Sequence, residues 1–313
     1  MSKYVRTFLR PVFGLTLLFT AAAVVGAWPA AAVAQNVLTG EWTASIDKSE
    51  SDKLHLNLER RADERGRSNM GTDFPFADLQ GLSREQVLRG GAVKFAVVRE
   101  AGSIDFEGSF RDGRGSGTFR FTGNPVFVSA MKGRGFDFDE DSSTTSDGRH
   151  GENRLFAAAV LNVTTALADD LASVGLGRLD VDDLFKAAIF KVDSRFAREM
   201  KASGFPDLGM EDLVKARIFK IDAEYVGEVA RMGFDKEPME NLVKLRIFKV
   251  TPEFIAETRN EGLSGLSIEE LVKLRIFKID GEFIRRAKAD GVPLEVEELV
   301  QRRIGVRSGR GKF

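Results

Sequence analysis

A 29-residue beat runs through the second half of this chain. Gly175, Gly204, Gly233, Gly262 and Gly291 fall on it, and so do Leu155, Leu184, Leu213, Leu242 and Leu271. The tripeptide Ile-Phe-Lys starts at Ile189, Ile218, Ile247 and Ile276, again 29 apart. A fixed period of roughly 20–50 residues marks stacked structural units, none of which buries its apolar face alone. Such stacks present extended surfaces and bind other molecules along them.

The physics of one unit can be read from residues 210–234. Leu213, Val214, Ile218 and Ile221 place apolar groups along one face of a first helix. Asp222 then stands where a helix N-cap belongs, and its counterparts Thr164, Asp193, Thr251 and Asp280 are all good capping residues. A second helix buries Tyr225, Val226 and Val229 and stops at Gly233, where glycine adopts the left-handed conformation at little cost. Each unit is thus expected to be a hairpin of two short helices, with Gly175, Gly204, Gly233, Gly262 and Gly291 as structural stops. Five units and a half-unit around Leu299 to Ile304 fit into residues 152–306.

Charge recurs with the same beat. Lys215, Lys244 and Lys273 form one row, Arg217, Arg246 and Arg275 a second, and Lys191, Lys220, Lys249 and Lys278 a third. Glu211, Glu240 and Glu269 precede the first row by four residues, a favourable helical pairing worth roughly 0.2–0.5 kcal/mol. That structural account covers the lysines better than a binding role does. The arginines intrude on the apolar arc, so their stems pack while their heads reach a groove or an acid. Phe219, Phe248 and Phe277 point away from the arc, which suits packing between units or the lining of a binding surface.

Before residue 137 the hydrophobic period is two. Leu54, Leu56 and Leu58 alternate with polar residues, as do Val93, Phe95 and Val97, then Ile104 and Phe106, then Phe119 and Phe121. Such alternation predicts strands with one buried face. Asp112-Gly113 between two runs predicts a hairpin, and Ser83 to Arg89 a short helix. Gly113-x-Gly115-x-Gly117 lies between strands rather than before a helix, so it reads as a flexible hairpin turn and not a phosphate loop. His55 occupies the polar phase of its strand, and only one other histidine, His150, exists. The usual histidine-rich zinc sites and a Ser-His triad are disfavoured.

Asp137, Asp139 and Asp141 open an acidic Ser/Thr-rich stretch. A calcium loop wants glycine at its sixth place and glutamate at its twelfth, where Ser142 and Gly148 stand. A solvated linker is the better reading. At the other end of the chain, Lys3, Arg6 and Arg10, an uncharged run from Val12 to Ala27, and Ala32-Val33-Ala34 read as a secretory signal cleaved before Gln35. Its removal takes three positive charges from a net of −1, leaving −4, too mild to imply a polyanionic partner. The absence of cysteine excludes disulfides and thiolate chemistry.

The expected layout is a signal peptide over 1–34, an antiparallel β-module over 38–136, a linker over 137–151, the helical array over 152–306 and a basic tail over 307–313. The fold class is α+β in two domains: a small antiparallel sheet or open barrel, then an all-α, solenoid-like hairpin array.

The string LVKLRIFKVTPEFIAETRNEG resembles a repeat of uncharacterised exported bacterial proteins, similar to extracytoplasmic repeats of antirepressor-type membrane metallopeptidases. The β-module, with DLQGL at Asp78 to Leu82 and FEGSFRDGRGSGTFRF at Phe106 to Phe121, is similar to one that precedes such repeats. The peptidases carry a His-Glu-x-x-His helix, and this chain has none. The resemblance implies an accessory or interaction protein without a catalytic role.

These readings converge on a non-catalytic periplasmic or secreted protein. Its array would bind a peptide, a protein or a membrane sensor of the cell envelope through Arg217, Arg246, Arg275, Phe219, Phe248 and Phe277. The alternative is a small-molecule or lipid-like ligand carrier using the β-module. No cofactor, metal, nucleic acid or lasting membrane insertion is expected, and no spacing singles out a catalytic pair of acids.

Overall fold

In the computed structural model, residues 37–46, 52–62, 66–138 and 154–305 are described. The predicted signal peptide, most of the predicted acidic linker with Asp139 and Asp141, and the basic tail lie outside them. Six strands, β1 (Val37–Ser45), β2 (Lys53–Ala62), β3 (Gly66–Pro75), β4 (Gly91–Arg99), β5 (Gly102–Arg111) and β6 (Arg114–Gly123), form one antiparallel sheet. Their order is β3-β2-β1-β6-β5-β4. The expected short helix is α1 (Arg84–Arg89), closed by a reciprocal capping box between Ser83 and Gln86. Before it, Gln80 exchanges two backbone hydrogen bonds with Ala96 (2.8 and 2.9 Å), which covers part of the outer edge of β4.

The glycine triplet has a division of labour that the flexible-turn reading missed. Asp112 (φ 52°) and Gly113 (φ 74°) make the β5–β6 turn, both in the left-handed region that such tight hairpins need. Gly115 and Gly117 lie inside β6 instead. A Cβ at Gly115 would strike the Phe110 ring. Gly117 faces Gly108 across the ladder, and the Trp42 indole lies against Gly108. The indole N–H donates to the Glu107 and Thr118 carbonyls at 3.1 Å each. Glycine is thus required at Gly115 to seat the Phe110 ring and at Gly117 to let its backbone approach that of Glu107 and Gly108, both packing roles. Trp42 sits edge-on to Phe95 (5.5 Å) and Phe106 (6.3 Å), and these rings fill the inner side of the sheet.

Helix α2 (Pro125–Lys132), capped by Asn124, leaves the sheet. Phe138, which composition assigned to the linker, is buried and packs edge-on to Phe127 at 5.4 Å. Eleven helices follow: α3 (Arg154–Leu161), α4 (Thr165–Ala172), α5 (Val181–Phe190), α6 (Ser194–Ala202), α7 (Met210–Ile218), α8 (Ala223–Arg231), α9 (Met239–Ile247), α10 (Pro252–Asn260), α11 (Ile268–Ile276), α12 (Gly281–Ala289) and α13 (Val296–Arg303). They pair into five hairpins and a half-unit, with boundaries that recur at the 29-residue beat.

Each second helix starts as its sequence asks. The side chains of Thr164, Asp193, Asp222, Thr251 and Asp280 accept from the backbone N–H three residues on. Each stops as expected too. Gly233 (φ 101°) donates to the Ala230 carbonyl and Phe234 to that of Val229, the paired bonds of a Schellman stop. The leucines on the beat, Leu155 through Leu271 and then Leu299, are all buried. First helices of successive units contact one another, α3 to α5 and onward to α13.

The sheet and the hairpins share one hydrophobic core. Phe156 of α3 stacks on Phe119 of β6 at 5.4 Å. Glu100, at the β4–β5 turn, accepts from both the N–H and the hydroxyl of Thr165 at 2.9 Å, at the N-terminus of α4. Arg134 forks onto Asp169 through bonds of 2.7 and 2.8 Å. The β-module therefore covers the N-terminal end of the helical region. Among the described residues no single helix is long and apolar enough to cross a membrane.

Candidate functional site

The Ile-Phe-Lys tripeptides all sit where a first helix ends. Lys191, Lys220, Lys249 and Lys278 have φ between 52° and 57°, in the left-handed region that L side chains rarely occupy. Lys220 donates its N–H to the Arg217 carbonyl, and Ile221 donates to that of Ala216, so a lysine occupies the place glycine takes in a Schellman stop. The same bonds recur at Lys249 with Val250 and at Lys278 with Ile279.

This break corrects the predicted first-helix face. A helix continued through Ile221 would put Ile218 and Ile221 together. The left-handed residue instead turns Ile221 into the core, while Ile218 faces outward. Ile189, Ile218, Ile247, Ile276 and Ile304 are all exposed to between 51% and 56%. Phe190, Phe219, Phe248 and Phe277 lie half-buried behind them, against the core.

The charge rows also resolve. The glutamates do not pair within their own helix. Lys215 meets Glu240 at 3.2 Å and Lys244 meets Glu269 at 3.1 Å, each one unit further on, and Lys186–Glu211 and Lys273–Glu297 repeat the pattern. The glutamate's own first-turn backbone N–H and then the Lys215 ammonium hold Glu240 below the ordinary carboxylate range. The Glu211 carboxylate raises Lys186 above the ordinary ammonium range.

The arginine row is engaged inside the array. Arg217, Arg246, Arg275 and Arg303 lay their guanidinium groups over Phe196, Tyr225, Phe254 and Phe283 of the preceding unit, at 3.7, 3.6, 4.8 and 5.1 Å. Each contact is worth about 0.5–2 kcal/mol. Arg246 also donates to the Lys220 carbonyl, Arg275 to that of Phe248 and Arg303 to that of Phe277, all at 3.0 Å. These accepting carbonyls belong to helix C-terminal turns, where carbonyls lack intrahelical donors.

The predicted site residues therefore do come together, on one edge along the C-terminal ends of the first helices. The arginines face inward to the preceding unit, the phenylalanines form a half-buried floor, and the isoleucines and third-row lysines face out. Between α9 and α11 this edge holds a cleft of about 360 Å³ lined by Ile247, Phe248, Lys249, Arg275 and Lys278 among others. The isoleucine and left-handed lysine rows were missed as site residues. A signal for the second was present: the same position carries Asn162 (φ 58°) in the first unit, and asparagine is among the few non-glycine residues at home there.

A second cleft, of about 710 Å³, lies on the second-helix side between α8 and α10. It is lined by Glu228, Arg231, Arg246 and Arg259 among others. Compared with family models, curated proteins and solved structures, the chain matches none.

Proposed function

We propose that this chain is an exported, non-catalytic interaction protein, whose helical hairpins stack as a solenoid and bind a peptide or protein partner of the cell envelope. The binding edge comprises Ile218, Ile247 and Ile276 with Lys220, Lys249 and Lys278. Phe219, Phe248 and Phe277 form its floor, and Arg217, Arg246 and Arg275 brace it from behind.

The observation that carries this reading is the recurrence of a half-exposed isoleucine at the same place in unit after unit. Single exposed apolar side chains are ordinary, but a regular row of them beside a charged row is the kind of surface that partners cover. The aromatic filling of the sheet's inner side favours the array over the β-module as the binding element.

A photo-crosslinking residue placed at Ile218 or Ile247, and for comparison at the exposed Glu224 of α8, tests the reading in intact cells. Adducts are expected from the isoleucine positions alone. Equal labelling from Glu224 would reject the edge. Sequencing of the native N-terminus, expected at or near Gln35, tests export.

A further inference from the structure

Of the three basic rows, one makes neither an ion pair nor a ring contact nor a side-chain hydrogen bond among the described residues. The first row of lysines is spent on the next unit's glutamates, and the arginines on rings and carbonyls. Lys191, Lys220, Lys249 and Lys278 are exposed and form no ion pair among the described residues. Nearby Asp193, Asp222 and Asp280 are committed as helix caps, with oxygens accepting from the Phe196, Tyr225 and Phe283 N–H groups at 2.8 to 2.9 Å. At Lys249 the corresponding cap is the uncharged Thr251. These lysines are also held in the left-handed region that L side chains rarely adopt, whereas the first unit carries Asn162 at that place. Backbone strain at a residue with no internal partner points to a use outside the fold.

Resting on the binding edge proposed above, we infer that the ligand is an acidic peptide in the polyproline-type conformation, with a carboxylate at every third residue and an apolar side chain between. The period follows from two lengths. Packed helices lie about 8–10 Å apart, so successive lysines and isoleucines advance by about that much along the edge. A β-strand sends successive side chains to opposite faces, so it cannot keep a three-residue period on one side. A polyproline-type chain has three residues per turn and rises about 3.1 Å per residue, so every third side chain returns to the same face after about 9 Å, one unit. Each unit then offers one ammonium to a carboxylate and one isoleucine to an apolar side chain. The cleft of about 360 Å³ between Lys249 and Lys278, walled by Ile247 and Phe248, is concave rather than flat. That shape favours a peptide over a lipid surface.

The test uses the full mature chain and a labelled 12-residue peptide, (Glu-Val-Ser)4, read by fluorescence anisotropy at low salt. Its control has the same composition with the four glutamates adjacent. The periodic peptide is expected to bind at least about tenfold more tightly, because its contacts form together. Binding should weaken as salt rises.

Lys220→Gly, Lys249→Gly and Lys278→Gly together remove the charges while suiting the left-handed turns, and should abolish the preference with the fold intact. Lys220→Gln, Lys249→Gln and Lys278→Gln provide a second charge-free form that keeps side-chain bulk. Equal binding of the two peptides, or undiminished binding by both triple variants, overturns the inference. Stronger capture by phosphatidylglycerol vesicles than by the periodic peptide also overturns it, in favour of a membrane. Loss of the peptide preference while Ile247→Asp still abolishes cellular adducts at Ile218 would sink this ligand class and leave the binding edge standing.

Discussion

Replacing Lys249 with glycine should make this protein more stable. At φ 53° the lysine occupies a region where an L side chain crowds the backbone, a cost of about 1–2 kcal/mol. Its side chain is exposed and makes no ion pair among the described residues, so its removal forfeits little in the folded state. Glycine also gains freedom in the unfolded chain, which gives back about 0.4–1 kcal/mol. The net is a stabilisation of about 0.5–1 kcal/mol. At about 2–4 °C per kcal/mol for a chain of comparable size, the melting temperature should rise by about 1–4 °C. Helical circular dichroism followed through thermal unfolding reads this directly, and urea midpoints with unchanged slopes would attribute it to stability rather than to a new denatured state. Lys249→Ala separates the causes, because alanine keeps the backbone strain and removes the charge. It should stay within about 0.5 kcal/mol of wild type. A glycine variant no more stable than wild type refutes the strain argument. An alanine variant that gains as much as glycine shows that relief of repulsion between lysines, not backbone geometry, is responsible.

Two further outcomes are expected. Leu242→Ala should cost about 2–5 kcal/mol as a buried truncation, whereas Ile247→Ala, five residues later on the same helix, should cost within about 0.5 kcal/mol; equal shifts in urea midpoint would mean the buried face of α9 is misassigned. Asp170 accepts from the Ser194 hydroxyl (2.6 Å) and N–H (2.7 Å) of the next unit, and these bonds, the hydroxyl first, hold its carboxyl below the ordinary range. A depressed folded value contributes stability that is fully present above the unfolded value, about 3.9, and is lost as pH falls through the folded one. The gap in melting temperature between wild type and Asp170→Asn should therefore be open near pH 7 and close toward about pH 2, and a gap constant with pH would show that the linkage is absent.

The hairpins were legible because what makes them is local. A capping oxygen at Asp222 and a left-handed glycine at Gly233 act within three or four residues, so sequence spacing alone places both helix ends. The strands were legible for a similar reason, since alternation along Leu54 to Leu58 needs no knowledge of the partner strand. The outward turn of Ile218 was not legible from a helical wheel, because a wheel assumes the helix continues and cannot register a left-handed break made by a lysine. Periodicity itself hid the ion pairs. Glu211 and Glu240 have the same surroundings in sequence, so nothing there says whether Lys215 pairs with the one in its own helix or the one in the next. The structure selects the next, which turns a set of helix-internal pairs into ties between units. Gly115 and Gly117 were misread because a glycine that admits a neighbouring ring or a close backbone looks the same in sequence as one that bends a turn.

The seat that Gly108 provides for Trp42 has an optical consequence. Of the two tryptophans in the chain, Trp28 and Trp42, only Trp42 belongs to the described residues, and it is buried beneath the sheet among Phe95, Phe106 and Phe110. Helical ellipticity, by contrast, comes almost wholly from the eleven helices of the C-terminal region. In a chain that begins at Gln35, which lacks Trp28, tryptophan emission and the 222 nm signal report on different parts of one molecule without any label. Superposition of the two melting curves, or their separation, reads out how far the Phe119–Phe156 stack and the Glu100–Thr165 cap make the sheet and the hairpins melt as one.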